Sequence, residues 1–180
     1  MVVTRLVSPT ETVVSVDRGG QMEIRRADRP GDLGWVVQAH GELYAAEYGW
    51  GMEYEALVAQ IVADFGKNFD PAREAAWIAE QDGERMGSVF CVRGPDEATA
   101  KLRLLLLHPS ARGQGLGARL VDTCMAFARE SGHKRMVLWT NDPLVAARNI
   151  YLKRGFKLIG EEPHDMFGSG LLSQTYEADL

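Results

Sequence analysis

The stretch LRLLLLHPSARGQGLGARL, residues 102–120, decides the fold of this chain. Apolar residues run from Leu104 to Leu107 and stop at His108-Pro109, and a polar loop then leads into the glycine-rich segment Arg112–Gly117. A continuously apolar run indicates a strand in the buried centre of a sheet. Proline cannot donate to a sheet ladder, so strand pairing is expected to end at Pro109.

The glycine-rich segment is predicted to open an amphipathic helix that is stopped at Ser131-Gly132. Apolar residues recur after it at helical spacing: Leu116, Leu120, Cys124 and Phe127. The first N–H groups of a helix have no partner within the helix, and they carry the positive end of its dipole. Because glycine lets the backbone approach a ligand closely, the segment predicts a phosphate-binding site made mostly of main chain.

Composition and charge limit the classes of protein to which the chain can belong. Its 180 residues are 46% hydrophobic and 25% charged, as expected of one soluble globular domain. The net charge of −5 gives no electrostatic reason to bind nucleic acid or an anionic membrane. The sequence contains no stretch of about 20 apolar residues and no apolar core of a signal peptide. We therefore expect a cytoplasmic protein with neither nucleic-acid nor membrane partners.

The two cysteines, Cys91 and Cys124, fall in a predicted strand and a predicted helix. Two thiols so placed indicate buried residues in a reducing compartment, and neither a disulfide framework nor a zinc site. No metal cofactor is expected.

Residues 1–21 have the composition of an extension, with Thr12–Val16 as a candidate edge strand, and residues 22–180 are expected to form a single domain. The predicted order is strand, two helices, three strands, helix, strand, helix, two strands. Asp82-Gly83 predicts a hairpin turn. Because hairpins and strand–helix–strand crossovers both occur, an α/β fold with a mixed sheet is expected.

Helix ends are predicted from capping residues. Asp32 is expected to cap the first helix, and Gly66 to stop the second. Asp142 is a favourable N-cap for the last helix, because Pro143 then takes the first helical position.

Two motifs resemble those of the GNAT superfamily of acyl-CoA-dependent N-acetyltransferases. Leu107-His108-Pro109 with Arg112–Gly117 is similar to its pyrophosphate-binding motif, and the segment from Asn141 through Tyr151 to Gly155-Phe156 is similar to its second motif. More narrowly, further segments resemble the acetyltransferase half of bacterial proteins fused to MarR-type regulators: His40-Gly41, Tyr44, Glu47–Trp50 and Phe69–Pro71. The DNA-binding half of those fusions has no counterpart in residues 1–21.

The resemblance implies a mostly antiparallel central sheet of about seven strands, splayed in the middle and flanked by helices. It also implies acetyl-CoA as the cosubstrate, with its pyrophosphate on the N–H groups of Gln114 to Ala118 and its pantetheine arm between the two central strands. The implied cosubstrate-binding residues are Leu105 and Leu107 through their main chain, Arg112, Gly113, Gln114, Gly115, Leu116, Gly117, Ala118 and Asn141.

The implied reaction is direct attack of a primary amine on the thioester, with Tyr151 as the acid that protonates the departing thiolate. No carboxylate on the central strand matches the general base of some relatives, since that region offers Lys101 and Arg103. The acceptor is expected to be a small molecule or a peptide, and a homodimer is a candidate assembly. The candidate acceptor-binding residues are His40, Glu47, Tyr48 and Trp50.

Each assignment has a plainer structural alternative. The glycine segment could be a tight connection, Arg112 could pair with a local carboxylate, and His40 and Tyr151 could be core residues. At the level of function, one alternative is an acyl-CoA sensor or interaction domain without catalysis. A more remote one is a dinucleotide-binding oxidoreductase, because Gly113-x-Gly115-x-x-Ala118 formally fits the Rossmann fingerprint.

Overall fold

Seven strands form one sheet in the computed structural model, which describes residues 20–180. The predicted order of elements is confirmed; Thr12–Val16 lies outside the described residues. The strands are β1 (Glu23–Arg26), β2 (Ala75–Gln81), β3 (Glu84–Arg93), β4 (Thr99–Leu107), β5 (Arg135–Asn141), β6 (Lys157–His164) and β7 (Leu171–Asp179). The α-helices are α1 (Asp32–Tyr48), α2 (Met52–Asn68), α3 (Leu116–Glu130) and α4 (Val145–Leu152).

The strand order is β1-β2-β3-β4-β5-β7-β6, and every neighbouring pair is antiparallel except β4 and β5. The predicted mixed, mostly antiparallel sheet is therefore confirmed. The predicted hairpin between β2 and β3 is also confirmed, and its two turn residues, Asp82 and Gly83, both have positive φ angles, 52° and 82°. Two consecutive positive φ angles match the twist of a tight hairpin.

Helices cover both faces of the sheet. One core contains the buried apolar side of α3 and residues of α4, packed on β2–β5 and β7. The other core lies between the opposite face of β2–β5 and helices α1 and α2. Cys91 and Cys124 are buried free thiols, as expected from the sequence.

The ends of three helices differ from the predictions. Asp32 is not a cap but the first residue of α1, where its fully buried carboxylate accepts hydrogen bonds from Arg25 (2.7 Å) and Arg85 (2.8 Å). Burial alone would raise the pKa of Asp32, but these hydrogen bonds outweigh it and lower the pKa to about 2. Asp32 thus connects α1 through these hydrogen bonds to Arg25 on β1 and Arg85 on β3.

The prediction that α4 starts at Pro143 is also wrong, because the helix begins at Val145. Asp142 instead extends the contact between β5 and β7: its N–H donates to the Leu172 carbonyl (3.0 Å), and its Oδ1 accepts from the Leu172 N–H (2.8 Å). Gly66 does not stop α2, which continues to Asn68. An interior glycine costs a helix only about 1 kcal/mol, a cost that tertiary packing can offset.

The two central strands separate, as the family resemblance implied. β4 pairs with β5 only from Thr99 to Leu102, opposite Arg135–Leu138, and beyond these residues the strands diverge. Leu104 has a φ angle of 53°, and the ladder between β3 and β4 shifts register beside it. Ser88 Oγ donates a 2.8 Å hydrogen bond to the Leu104 carbonyl, which holds this bulge in place.

Candidate functional site

The glycine-rich segment lies at the open end of the gap between β4 and β5. A short 3₁₀ turn, Pro109–Ala111, follows β4, and α3 begins only at Leu116, so most of the segment is loop and not helix. Gly113 and Gly115 both have φ angles of 75°. A residue with a side chain adopts this left-handed backbone conformation at a cost of roughly 1–2 kcal/mol, so the loop needs glycine at both positions.

Six consecutive N–H groups, from Gly113 to Ala118, have no hydrogen-bond acceptor among residues 20–180. The first paired one is that of Arg119, which donates to the Gly115 carbonyl (3.1 Å). No side chain caps α3, so its dipole also points into this space. A main-chain anion site of the kind predicted from the sequence requires these properties.

Gly117 serves close packing. A Cβ atom at this position would lie 2.7 Å from Ile150 Cδ1 and 3.0 Å from Leu107 Cδ1. The absence of a side chain therefore lets the start of α3 approach α4 and the end of β4, and it keeps the walls of the gap together.

Arg112 is engaged with protein groups. One of its guanidinium nitrogens donates to Glu47 on α1 (2.7 Å), and the guanidinium also donates to the Leu107 carbonyl (3.2 and 3.3 Å). The Arg112 and Glu47 side chains are 45% and 29% exposed, so this ion pair contributes little to stability. The pair spans the mouth of the gap.

A cavity of about 370 Å³ connects the loop to the gap between the strands, and we call it the donor cavity. Its volume lies in the range of small-molecule sites. Its walls come from α1, β4, the glycine loop, α3 and α4: Leu43, Tyr44, Glu47, Tyr48, Leu105–Leu107, Arg112, Gly113, Gly115–Ala118, Leu144, Ala146, Ala147 and Ile150.

Main-chain groups of β4 face this gap. The His108 N–H donates to the Met86 carbonyl, and Leu106 lies opposite Ser88 in the same ladder. Because bonding direction alternates along an antiparallel strand, the main-chain groups of Leu105 and Leu107 point away from β3, toward the gap. The contact of Arg112 with the Leu107 carbonyl agrees with this orientation.

A second, smaller space of about 80 Å³ adjoins the donor cavity, and we call it the inner cleft. Both spaces include Tyr44, Leu105, Leu144 and Ala147 in their walls. The other residues around the inner cleft are His40, Trp50, Tyr54, Leu57, Val58, Ile61, Lys101–Leu104, Trp139–Asn141 and Tyr151.

Three tyrosines line the inner cleft. Burial raises the pKa of Tyr44 to about 12, and it also raises the pKa values of Tyr54 and Tyr151. Tyr44 further raises the pKa values of Tyr54 and Tyr151, whereas a hydrogen bond from Tyr54 lowers the pKa of Tyr44. All three are protonated at neutral pH and can act as hydrogen-bond or proton donors. Tyr151 makes no side-chain hydrogen bond within residues 20–180.

His40 has a defined tautomer. Its Nδ1 lies 2.8 Å from the Val36 carbonyl, which can only accept, so Nδ1 carries the proton and Nε2 is a bare acceptor. Burial lowers the pKa of His40 to about 4, so the ring is neutral at physiological pH. The ring stacks on Tyr44, with ring centroids 5.7 Å apart.

Asn141 is buried at the end of β5, and its side-chain oxygen accepts a 2.7 Å hydrogen bond from His164 Nε2. His164 Nδ1 in turn accepts from the Met166 N–H (3.2 Å), so Nε2 is the nitrogen that donates to Asn141. The Asn141 side chain can therefore offer its NH₂ group to a ligand, because its oxygen is already used.

The structure divides the sequence-predicted acceptor residues between the two spaces. His40 and Trp50 line the inner cleft, whereas Glu47 and Tyr48 line the donor cavity beside Arg112. Sequence reasoning did not select Tyr54, Trp139 and His164. No local pattern connects His164 to Asn141, which lies 23 residues earlier.

Among residues 20–180, no group of three or more His, Cys, Asp or Glu side chains is arranged to hold a metal ion. No helix of this part of the chain is long and apolar enough to cross a membrane. The sheet contains one parallel strand pair within the described residues, which does not match the parallel sheet of a Rossmann fold.

A family model described as the acetyltransferase (GNAT) family matches residues 25–156. The chain therefore belongs to the GNAT acetyltransferase family. It is 34% identical over 120 residues to N-acetyltransferase 8F1 of Rattus norvegicus, covering 64% of this chain and 54% of that protein. It is 28% identical over 123 residues to N-acetyltransferase 8B of Homo sapiens, covering 66% and 54%. The chain spans about half the length of the curated relatives it matches.

Solved structures of GNAT acetyltransferases share the fold. An acetyltransferase from Streptococcus agalactiae superposes with a TM-score of 0.67 and 26% identity, covering 88% of this chain and 98% of that one. An acetyltransferase from Salmonella typhimurium, solved with its cofactor acetyl-CoA, gives a TM-score of 0.71 at 20% identity, covering 88% and 94%.

Proposed function

We propose that this protein transfers an acetyl group from acetyl-CoA to a primary amine, by direct attack of the amine while both substrates are bound. The observation that carries the proposal is the continuity of the two spaces: six free N–H groups at the mouth of the donor cavity lead through the gap to a tyrosine-lined cleft. The Salmonella typhimurium neighbour, which holds acetyl-CoA in the same fold, supports this choice of donor.

The donor would be held mainly by main chain. The N–H groups of Gly113 to Ala118 suit its diphosphate, and the inward-facing main-chain groups of Leu105 and Leu107 suit the amides of its pantetheine arm. Asn141 would contribute its NH₂ group. Arg112 would meet a phosphate only by releasing Glu47, so its contribution is smaller than its charge suggests.

In the proposed reaction, the neutral amine attacks the thioester carbon, a C–N bond forms, and the C–S bond breaks. The thiolate leaves with the electron pair of that bond and takes a proton from the Tyr151 hydroxyl. The nitrogen of the adduct loses its extra proton to water, which leaves the amide product, and the Tyr151 oxygen regains a proton from water. An N–H group of the gap would stabilise the developing negative charge on the carbonyl oxygen, an effect worth roughly 3 kcal/mol for one donor in acyl transfer.

The finer parts of the assignment are proposals as well. We infer a cytoplasmic, bacterial protein, acting on a small-molecule or peptide amine, with no nucleic-acid or membrane partner, and with a homodimer as a candidate assembly. The acetyltransferase domain would comprise residues 22–180 and follow an extension of residues 1–21. The resemblance of residues 40–71 to the acetyltransferase half of MarR-type fusions supports a bacterial origin.

An assay for released CoA thiol with a broad panel of amines tests the proposed reaction. Acetyl-CoA and NAD are also compared by thermal shift, since a ligand at 100 times its dissociation constant stabilises the fold by about 2.7 kcal/mol. We expect stabilisation by acetyl-CoA alone and amine-dependent thiol release. Acetyl-CoA binding without acetylation of any amine would favour the non-catalytic sensor, and stabilisation by NAD alone would reject the proposal.

A further inference from the structure

Lys101 and Arg103 lie two residues apart on β4, on the sheet face that α2 partly covers. Both residues are only partly exposed. Neither side chain has an ion-pair or hydrogen-bond partner among residues 20–180. Two neighbouring cations without partners are unusual at the centre of a sheet, because removing a charge from water is costly unless it is paired.

The position of the two cations is the second observation. They line the inner cleft, and they also line a wider open groove between α2 and the exposed face of β5–β7, which we call the outer groove. Ile61 lines both spaces too. The outer groove therefore approaches the inner cleft from the side opposite the glycine loop, and an acceptor entering by this path would pass Lys101 and Arg103.

The electrostatics of the pair favour the binding of an anion. Burial lowers the pKa values of both Lys101 and Arg103, and the positive charge of Arg103 lowers that of Lys101 further. Asp64, on α2, raises the pKa of Arg103, but it forms no ion pair with Arg103 and accepts a hydrogen bond from Gln60 (2.8 Å). Glu74 and Glu177 also line the outer groove, and Glu74 pairs with Arg93.

We propose that Lys101 and Arg103 form a carboxylate subsite, and that the amine acceptor is an amino carboxylate such as an α-amino acid. This inference rests on the proposed acetyl transfer. A guanidinium matches the planar geometry of a carboxylate, and the small inner cleft favours that group over a bulkier tetrahedral anion. Lys101 and Arg103 line the same small cleft as Tyr151. A carboxylate held by the two cations would therefore be only a few bonds from the attacking amine, as it is in an α-amino acid.

The test compares L-amino acids with the corresponding amino-acid amides as acceptors, at fixed acetyl-CoA, by released CoA thiol. We expect kcat/KM to be at least about tenfold higher for the acids, since a hydrogen bond to a charged group contributes about 1.5–3 kcal/mol, which is roughly 10- to 150-fold. The comparison is conservative, because an amide lowers the pKa of its α-amine and so supplies more of the neutral nucleophile.

Arg103→Gln and Lys101→Gln should each bring the acid-to-amide ratio toward one, chiefly by raising KM for the acids. Lys67→Gln is the matched control, because Lys67 is an exposed cation on α2 that lines neither the inner cleft nor the outer groove. It removes the same charge and should leave the ratio unchanged. Thermal stabilisation by acetyl-CoA verifies that each variant is folded and binds the donor.

The remaining outcomes distinguish the two proposals. Amides acetylated as well as acids by the wild type, or an unchanged ratio in both cleft variants, would overturn the carboxylate subsite and leave acetyl transfer standing. Thiol release that depends on no amine at all would overturn the proposed reaction instead. As a readout independent of turnover, N-acetyl-L-amino acids should bind the wild-type complex with CoA in calorimetry, and they should bind Arg103→Gln at least tenfold more weakly.

Discussion

The two ends of the gap between β4 and β5 are built from different chemical material. At the proposed donor end, the groups available to a ligand are main-chain N–H groups of the glycine loop and main-chain groups of β4. At the proposed acceptor end, they are side chains: three tyrosines, His40 and the pair of Lys101 and Arg103. Main-chain groups do not titrate, and they are nearly the same whatever the sequence. Side chains differ with the sequence, and several of them titrate. We therefore expect donor binding to depend on backbone conformation, and acceptor choice and pH response to depend on individual residues.

The largest expected effect concerns pH and the acceptor end. The pKa of His40 is about 4 in the folded protein, against about 6.5 in the unfolded chain. Well above pH 6.5 the ring is neutral in both states, so its protonation does not affect stability. As the pH falls from 6.5 to 4, the unfolded chain binds a proton that the folded protein does not, so stability should fall by about 3 kcal/mol.

Urea unfolding at several pH values between 4 and 7.5 measures this loss, and His40→Gln should flatten the curve. His133→Gln is a comparison variant, because burial lowers the pKa of that ring as well; it should also flatten the curve, but by less than His40→Gln. Asp32 contributes in a separate window, below about pH 4, because its folded-state pKa is about 2. A His40→Gln curve parallel to that of the wild type would contradict the assigned burial.

The next effect separates chemistry from binding. Tyr151→Phe should lower kcat about 100-fold, since proton donation by a positioned side chain contributes roughly that much, and it should leave the dissociation constant of acetyl-CoA unchanged. Tyr176→Phe is a matched control: Tyr176 is also buried, but its hydroxyl bonds to Gln174 and does not line the inner cleft. A Tyr151→Phe enzyme with kcat within threefold of the wild type would remove Tyr151 from the mechanism.

A third effect tests the main-chain character of the donor end. Gly115→Ala should weaken acetyl-CoA binding about tenfold or more in calorimetry. An alanine would relax away from the positive φ angle, and the loop N–H groups would then no longer point at the charged phosphate oxygens. Gly132→Ala places the same substitution at a φ angle of 84°, with no atom within 4 Å, at the other end of α3. Both variants should lose about 1 kcal/mol of stability, but equal affinity losses would mean that the loop acts only through the fold.

The smallest expected effect is that of Glu47→Gln. Freed from Glu47, Arg112 can approach a phosphate, and a negative charge is removed from the mouth of the donor cavity. We expect acetyl-CoA affinity to rise about two- to threefold at low salt and to approach that of the wild type at 0.5 M salt, where exposed charges are screened. Glu42→Gln, five residues earlier on α1 and accepting a hydrogen bond from Gln38, should change neither value. A large loss of affinity in Glu47→Gln would mean that this carboxylate supports the donor site.

The same contrast explains how far sequence reasoning could go. The order of elements, the hairpin at Asp82-Gly83 and the glycine loop were predictable, because each depends on local pattern or on a backbone conformation that few residues adopt. The bulge at Leu104 was not, since a leucine takes a positive φ angle there only through pairing with β3 and the hydrogen bond from Ser88.

The acceptor end was predictable only in part. His40, Trp50 and Tyr151 were selected and do lie together around the inner cleft. From the sequence, Lys101 and Arg103 showed only that the central strand offers no carboxylate. Their lack of ion-pair partners could not be predicted, because it depends on which residues pack around β4. The role of Asp142 in joining β5 and β7 likewise depends on Leu172, 30 residues later.

A crystal structure of the protein with coenzyme A tests the central claim most directly, since that claim assigns the donor to main-chain groups at one end of the β4–β5 gap. We predict diphosphate oxygens within hydrogen-bond distance of N–H groups between Gly113 and Ala118, and the pantetheine arm between Leu105–Leu107 and Asn141. Coenzyme A bound elsewhere, or held at this end chiefly by side chains while those N–H groups face solvent, would contradict the account.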